Sequence, residues 1–290
     1  MDNGHLTVSR TDVFMNGGAP VSAHYVVAGE GAPIILLHGV GDSAYAWQWV
    51  MRPLSRAYRV YAVSFPGFGD SAKPDAPYAP EFFVDFTAAF MDAMRIEKSM
   101  LVGNSLGGLV AMLMAFRKPE RVSALTLVSS AGLGREVNLA LRMLTLPGFG
   151  PLLAAWYKTP IGAYQWALFT TWLLFAHPLN APKAWTAGLR QMALMPGYLE
   201  ATVASMRSVG TILGQRARRI VLNQLHELDL PTLVLWGDRD KVVPLRHGRA
   251  AASRLTAGRL EVFRQCGHLP HIEAAKPFVR AVDGFMKQYG

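Results

Sequence analysis

Met100-Leu101-Val102-Gly103-Asn104-Ser105-Leu106-Gly107-Gly108-Leu109-Val110 joins an apolar run to a second apolar run through a glycine-flanked serine. Met100 to Gly103 is a short apolar run of the kind that forms a buried strand, and Leu106 to Arg117 is apolar at helical length. Between them lies Gly103-Asn104-Ser105-Leu106-Gly107, a G-x-S-x-G pattern. Such a string arises often by chance; a strand before it and a helix after it give it meaning. A turn that sharp holds the serine in a strained backbone conformation and lifts its hydroxyl to the C-terminal edge of the sheet. Gly103 and Gly107 remove the side chains that would collide there. The N–H of Leu106, at the start of the helix, can then point towards a developing oxyanion. This context favours a nucleophile at Ser105 over an ordinary helix start.

Outward from this turn, strand-like and helix-like segments alternate. Val21–Ala28, Ile34–Leu37, Arg59–Ser64 and Ser123–Ser129 read as strands, whereas Ala44–Tyr58 and Phe82–Arg95 read as helices. The rhythm breaks after Gly132-Leu133-Gly134. It resumes with a strand at Pro231–Trp236, a helix near Arg246–Arg254, a strand at Arg259–Phe263 and a last helix from about Ala274. Alternation of this kind implies an α/β fold: a mainly parallel sheet of about eight strands with helices on both faces. The expected organisation is a core formed by residues 1–132 and 227–290, with a helical insertion over 133–226. A second independent domain is disfavoured, because the flanking strands complete one pattern.

Of the 290 residues, 51% are hydrophobic and 17% charged, enough for a large core and against disorder. The net charge of +9 would draw anionic partners. No basic run exceeds the cluster Arg216, Arg218, Arg219, so the charge reads as a solvated surface and no nucleic-acid partner is expected. Cys266 is the only cysteine, which excludes an intrachain disulfide and any multi-cysteine metal site. Met1 to Thr11 is polar and lacks the apolar run of a secretory signal. The most apolar stretch, Ile161 to Ala176, is too short to span a membrane and is bounded by Pro160 and Pro178. These features imply a cytoplasmic protein.

A serine hydroxyl needs a base. Among eight histidines, His268 follows a strand and precedes the final helix, which puts it in a loop at the catalytic end of the sheet. His271 leads into that helix and reads as a packing or capping residue, and His38 as a brace for its own loop. The base in turn needs a carboxylate. Asp238 and Asp240 both follow the apolar run Leu233 to Gly237, while the loop after Ser123–Ser129 offers no acid until Glu136.

At this point the chain resembles the α/β-hydrolase superfamily, in particular the group with a helical cap between the sixth and seventh core strands. The matching pieces are His38-Gly39, Pro66-Gly67-Phe68-Gly69-Asp70-Ser71, Gly103 to Gly108, Trp236-Gly237-Asp238-Arg239-Asp240 and Gly267-His268. The resemblance implies Ser105 as nucleophile, His268 as base and Asp240, last in W-G-x-x-D, as acid. It also implies the N–H groups of Val40 and Leu106 as oxyanion donors. Related dehalogenases and epoxide hydrolases carry an aspartate nucleophile, and Ser105 argues against both. Carbon–carbon bond hydrolases of the meta-cleavage-product type share Gly-Asn-Ser-x-Gly-Gly. They usually show a Gly/Pro-rich oxyanion loop and a tryptophan after the histidine, where this chain has Gly39-Val40-Gly41-Asp42-Ser43 and Leu269. Where many members have aspartate, it has Ser64.

From Val137 to Leu199 there is no acidic residue, and four cations, Arg142, Lys158, Lys183 and Arg190, stand among Trp, Leu, Phe and Met. Most of these apolar residues must pack, yet a helix apolar on both sides leaves some for a lipophilic substrate or a lipid surface. Trp172, Phe175 and Leu269 are the pocket candidates. The expected activity is hydrolysis of hydrophobic acyl or aryl esters, with a small ester as partner and neither metal nor organic cofactor. The alternatives are carbon–carbon bond hydrolysis and a slow-turnover ligand-binding or accessory role. Peripheral contact with an anionic membrane is kept open, and the oligomeric state is not fixed by these patterns.

Overall fold

The computed structural model describes residues 5–15 and 18–289; Met1 to Gly4, the first part of the polar N-terminus, lie outside them. An eight-stranded sheet carries the fold. It contains β1 (Thr7–Val13), β2 (Val21–Ala28), β3 (Pro33–Leu37), β4 (Arg59–Val63), β5 (Ser99–Asn104) and β6 (Val122–Val128). The chain then leaves the sheet and makes the small hairpin of β7 (Gly210–Thr211) and β8 (Gly214–Gln215) before returning as β9 (Thr232–Gly237) and β10 (Gly258–Phe263). The strand order is β1-β2-β4-β3-β5-β6-β9-β10. Pairings from β4 to β10 are parallel; β1 and β2 run antiparallel at one edge.

The period-2 pleat of each strand splits its apolar residues between two cores. Ile35, Leu37, Leu101, Leu127 and Val234 pack with helices α2 (Pro80–Ala93) and α3 (Leu106–Arg117). Ile34, Leu36, Val102, Leu233 and Leu235 face α1 (Gln48–Leu54) and α11 (Ala275–Tyr289) on the opposite side. A strand covered on both faces must be apolar throughout, and this explains Ile-Ile-Leu-Leu in β3 and Leu-Val-Leu-Trp in β9.

Two local readings change. The segment expected as one helix over Ala44–Tyr58 is a 3₁₀ turn, Ala44–Trp47, followed by α1, which ends one residue past Pro53. Edge strand β1 escapes sequence pattern because Thr-Val-Ser-Arg-Thr-Asp-Val is polar and exposed along most of its length.

Between the adjacent parallel strands β6 and β9 the chain inserts α4 (Leu139–Met143), α5 (Phe149–Tyr157), α6 (Pro160–Leu174), α7 (Lys183–Ala193) and α8 (Tyr198–Val209). After β9 come α9 (Leu245–Ala252) and, just ahead of α11, the short α10 (Pro270–Glu273). No helix among the described residues is long and apolar enough to cross a membrane.

Candidate active site

Ser105 occupies the junction of β5 and α3 with φ 53° and ψ −114°, a region that L residues other than glycine rarely visit. Glycines make the turn sterically feasible. A Cβ on Gly103 would lie 2.3 Å from the carbonyl carbon of Gly107, and one on Gly107 would lie 2.2 Å from the Leu37 oxygen. Gly39, in the loop after β3, brings its Cα so near that an added Cβ would sit 3.1 Å from Ser105 Cβ.

Two further loops arrive at the same sheet edge. The carboxylate of Asp240, past the end of β9, is fixed through Oδ1 by the N–H groups of Val242 (2.8 Å) and Val243 (3.1 Å). Its Oδ2 accepts from His268 Nδ1 at 2.9 Å. That bond holds the proton on Nδ1 and leaves Nε2 with its lone pair. Asp238 instead accepts a long bond, 3.3 Å, from the Cys266 N–H and does not reach His268. The Ser105 hydroxyl has no hydrogen-bond partner among the described residues, but Ser105 and His268 line one cavity. Val40 and Leu106 line it too, and neither backbone N–H donates to another described group.

The other two histidines are occupied elsewhere. His38 donates from Nδ1 to the Gly39 oxygen (2.7 Å) and accepts at Nε2 from the Phe65 N–H (2.9 Å); burial lowers its pKa to about 4. His271 stacks on Trp47, 4.1 Å between ring centroids, and burial lowers its pKa to about 3.

Several residues that position this site were not singled out in the sequence. Asn104, the variable residue of the pattern, donates from Nδ2 to the carbonyls of Val128 and His268, both at 3.1 Å, so it ties the elbow to the histidine loop. The His268 N–H donates to the Leu174 oxygen at the end of α6, 2.7 Å away. Glu273 accepts from Gly267 N–H and Ala176 N–H, each at 2.8 Å, while Lys241 Nζ donates to the carbonyls of Trp172 and Phe175. The acid loop and the histidine loop therefore both grip the C-terminal end of α6. Lys241 is adjacent to Asp240 and Glu273 follows His268 by five residues, so proximity in sequence was the available signal.

The cavity, about 950 Å³ including its opening to solvent, is enclosed by the inner faces of α4, α6, α7 and α8 above the elbow. Its lining is overwhelmingly apolar, with Leu141, Phe169, Leu173, Leu189, Met206 and Leu269 among the contributors. Among the described residues no lysine or arginine lines it. Arg142 bonds the Ile212 carbonyl, Lys158 pairs with Glu200, and Lys183 and Arg190 are exposed. The ionisable group that does line it, besides His268, is Asp42. Asp42 accepts from Ser43 N–H at 2.8 Å and Trp185 Nε1 at 3.3 Å, and burial raises its pKa to about 6.

Of the three pocket candidates, the structure places Leu269 on the wall but neither aromatic residue. Trp172 is 57% exposed on the outer face of α6. Phe175 lies just beyond that helix, buried edge-on against Trp185 with centroids 4.9 Å apart. The physical reason is helical phase. The inward positions of α6 are 162, 163, 166, 167, 169, 170, 171, 173 and 174, and Trp172 falls between them on the far side.

No group of three or more potential metal ligands exists among the described residues. Chemically, the cavity brings together an unpaired, partly buried serine hydroxyl, an oriented imidazole and two free N–H donors. That is the equipment of acyl transfer or of related attack on a carbonyl.

Comparison with known proteins agrees with this architecture. Residues 32–275 match the family model for the alpha/beta hydrolase fold. A 2-hydroxymuconate semialdehyde hydrolase from Pseudomonas sp. (strain CF600) is 34% identical over 269 residues, covering 90% of this chain and 89% of that protein. Among solved structures, a meta-cleavage product hydrolase from Pseudomonas fluorescens IP01 aligns with a TM-score of 0.78 at 28% identity, over 97% of this chain and 98% of the other. A membrane phospholipase A, described as a bacterial virulence factor, aligns at 0.80 with 25% identity over 97% and 86%. With the family model spanning most of the chain, this protein belongs to the α/β-hydrolase fold family.

Proposed function

We infer that the protein is a serine hydrolase of neutral, lipophilic carboxylic esters, acting through an acyl-enzyme on Ser105. The observation that carries this reading is the wall of the cavity: apolar side chains, no cation, and a carboxyl group at Asp42. An acyl or aryl chain is favoured there, and a carboxylate-bearing substrate would meet Asp42 with nothing to pair it.

In this mechanism Ser105 Oγ attacks the ester carbonyl carbon as His268 Nε2 takes its proton. Asp240 stabilises the imidazolium, and the N–H groups of Val40 and Leu106 hold the oxyanion. The imidazolium then protonates the departing alcohol, leaving an acyl group on Ser105. Water, deprotonated by His268, attacks that acyl carbon, and the bond to Oγ breaks as the imidazolium returns that proton to Ser105 Oγ. The acid product is anionic near neutral pH, and the Asp42 carboxyl beside it favours release.

The named relatives favour a second reading. The protein at 34% identity acts on a muconate semialdehyde, so its substrate carries a carboxylate, and the bond cleaved in that class joins two carbons. A buried cation would suit such a substrate, and the cavity wall supplies none. A slow-turnover accessory role would show as acylation without appreciable release.

Mass spectrometry after brief exposure to a long-chain p-nitrophenyl ester tests the proposal. The expected result is one acyl group on Ser105, discharged within the steady-state turnover time, with Ser105→Ala losing at least about 10³-fold in kcat. Undiminished turnover in Ser105→Ala would remove the nucleophile from the account.

A further inference from the structure

Helix α6 is apolar on both sides, and only one side is used by the core. Its inward face lines the cavity, while Ile161, Tyr164, Leu168 and Trp172 stand 66%, 52%, 37% and 57% exposed along the opposite face. Two neighbours extend the strip. Lys241 bonds the Trp172 carbonyl and, through its own carbonyl, Asn138, so it links the end of α6 to the start of α4, where Leu139 is 56% exposed. Arg142 of α4 donates to Ile212, which holds the hairpin tip with Leu213, 66% exposed, against that helix. Exposed apolar residues scattered singly need no explanation; a row of this kind does.

We propose that this strip is a docking face for the surface of an anionic lipid bilayer. Charge selects the lipid. Val137 to Leu199, which supplies α4 and α6, contains no acidic residue. Arg142 and Lys241 sit within the strip, and the whole chain carries +9. Apolar side chains entering the headgroup boundary with cations beside them are the pattern of a peripheral helix, and α6, fifteen residues long, lies flat rather than spanning. The inner faces of α4 and α6 line the cavity, so the docked surface and the substrate space lie on two sides of the same helices. This inference does not depend on which bond the enzyme cleaves.

Co-sedimentation of the full chain, carrying Ser105→Ala so that no lipid is consumed, tests it with phosphatidylcholine/phosphatidylglycerol vesicles and with pure phosphatidylcholine. Binding to the mixed vesicles is expected at low salt, weakening several-fold as salt rises past about 0.1 M. The triple variant Ile161→Ser, Leu168→Ser, Trp172→Ser should bind at least about tenfold more weakly. These side chains are exposed, so circular dichroism should show an intact fold. Tryptophan quenching by brominated lipid in the unvaried strip gives a second readout that needs no substitution. Absence of sedimentation and quenching, equal binding to neutral vesicles, or an unaffected triple variant would overturn the proposal. A dimer that disappears in the triple variant, without vesicle binding, would assign the face to a second copy instead and overturn it too.

Discussion

Asp240 and Asp238 lie two residues apart in one loop, and only the first reaches His268. In Asp240→Asn the amide can keep Oδ1 on Val242 and Val243, which turns its NH₂ towards His268 Nδ1 and disfavours the productive tautomer. Loss of about 10³- to 10⁴-fold in kcat with little change in KM is the expected outcome. Asp238→Asn keeps an oxygen that can accept the one long bond from Cys266 and should stay within about threefold of wild type. Steady-state kinetics of the two variants decides it, and the reverse ranking would move the acid to Asp238. Asp42 makes a different prediction, about stability. Its folded pKa, about 6, lies above the ordinary 3.8 because burial penalises the anion. The unfolded chain therefore releases this proton first as pH rises, and the group costs stability progressively from about pH 4 to about pH 6. Above that window the cost is constant at roughly 2–3 kcal/mol. Asp42→Asn should thus be more stable than wild type at pH 8, with the difference shrinking towards pH 4 in urea titrations; a pH-independent difference would contradict burial as the cause. The Ser105 elbow was legible because its requirements are local: glycines at 103 and 107, a strand before and a helix after. Asp42 was not, since nothing in the loop's sequence says that Trp185, 143 residues away, will bury it.

Elements were legible in proportion to how completely the core covers them. β3 and β9 are buried on both faces and read as unbroken apolar runs. β1, exposed at the sheet edge, left no such trace. α6 shows the limit from the other side. It is apolar all round, so periodicity does not say which face turns inward, and bulk alone points Trp172 and Phe175 to the pocket. The structure redistributes these roles and with them the expected phenotypes. Phe175→Ala removes a ring packed on Trp185 and should cost about 3–5 kcal/mol, with acyl-chain preference unchanged. Leu189, on the wall contributed by α7, is the better lever on specificity. Leu189→Trp should shorten the preferred acyl chain while Tm moves by only a few degrees. Thermal melts paired with an ester chain-length series check both; a preference shift from Phe175→Ala alone would reopen the pocket assignment.

At the scale of the whole molecule, two arrangements meet at one sheet edge. The strands bring Ser105, Asp240 and His268 together from loops far apart in sequence, and the parallel order β5-β6-β9-β10 makes this possible by placing the ends of β5, β9 and β10 along one sheet edge. The helices inserted between β6 and β9 close the space above and are clamped to the same loops by Lys241 and Glu273. The break in sequence rhythm after Gly134 falls just ahead of α4, the first helix of the insertion between β6 and β9. Its lining could not be read, because whether a leucine meets substrate or core is settled only by packing. That lining separates the chemistry proposed for this chain from that of relatives sharing a third of its residues. The most direct measurement is a comparison of kcat/KM on a neutral hydrophobic p-nitrophenyl ester and on a meta-cleavage dienoate, using the wild-type enzyme at pH 7.5. The ester should be preferred by at least about 100-fold, the scale expected when a buried carboxylate must go unpaired. Equal or greater efficiency on the dienoate would contradict it and place this chain with the carbon–carbon bond hydrolases.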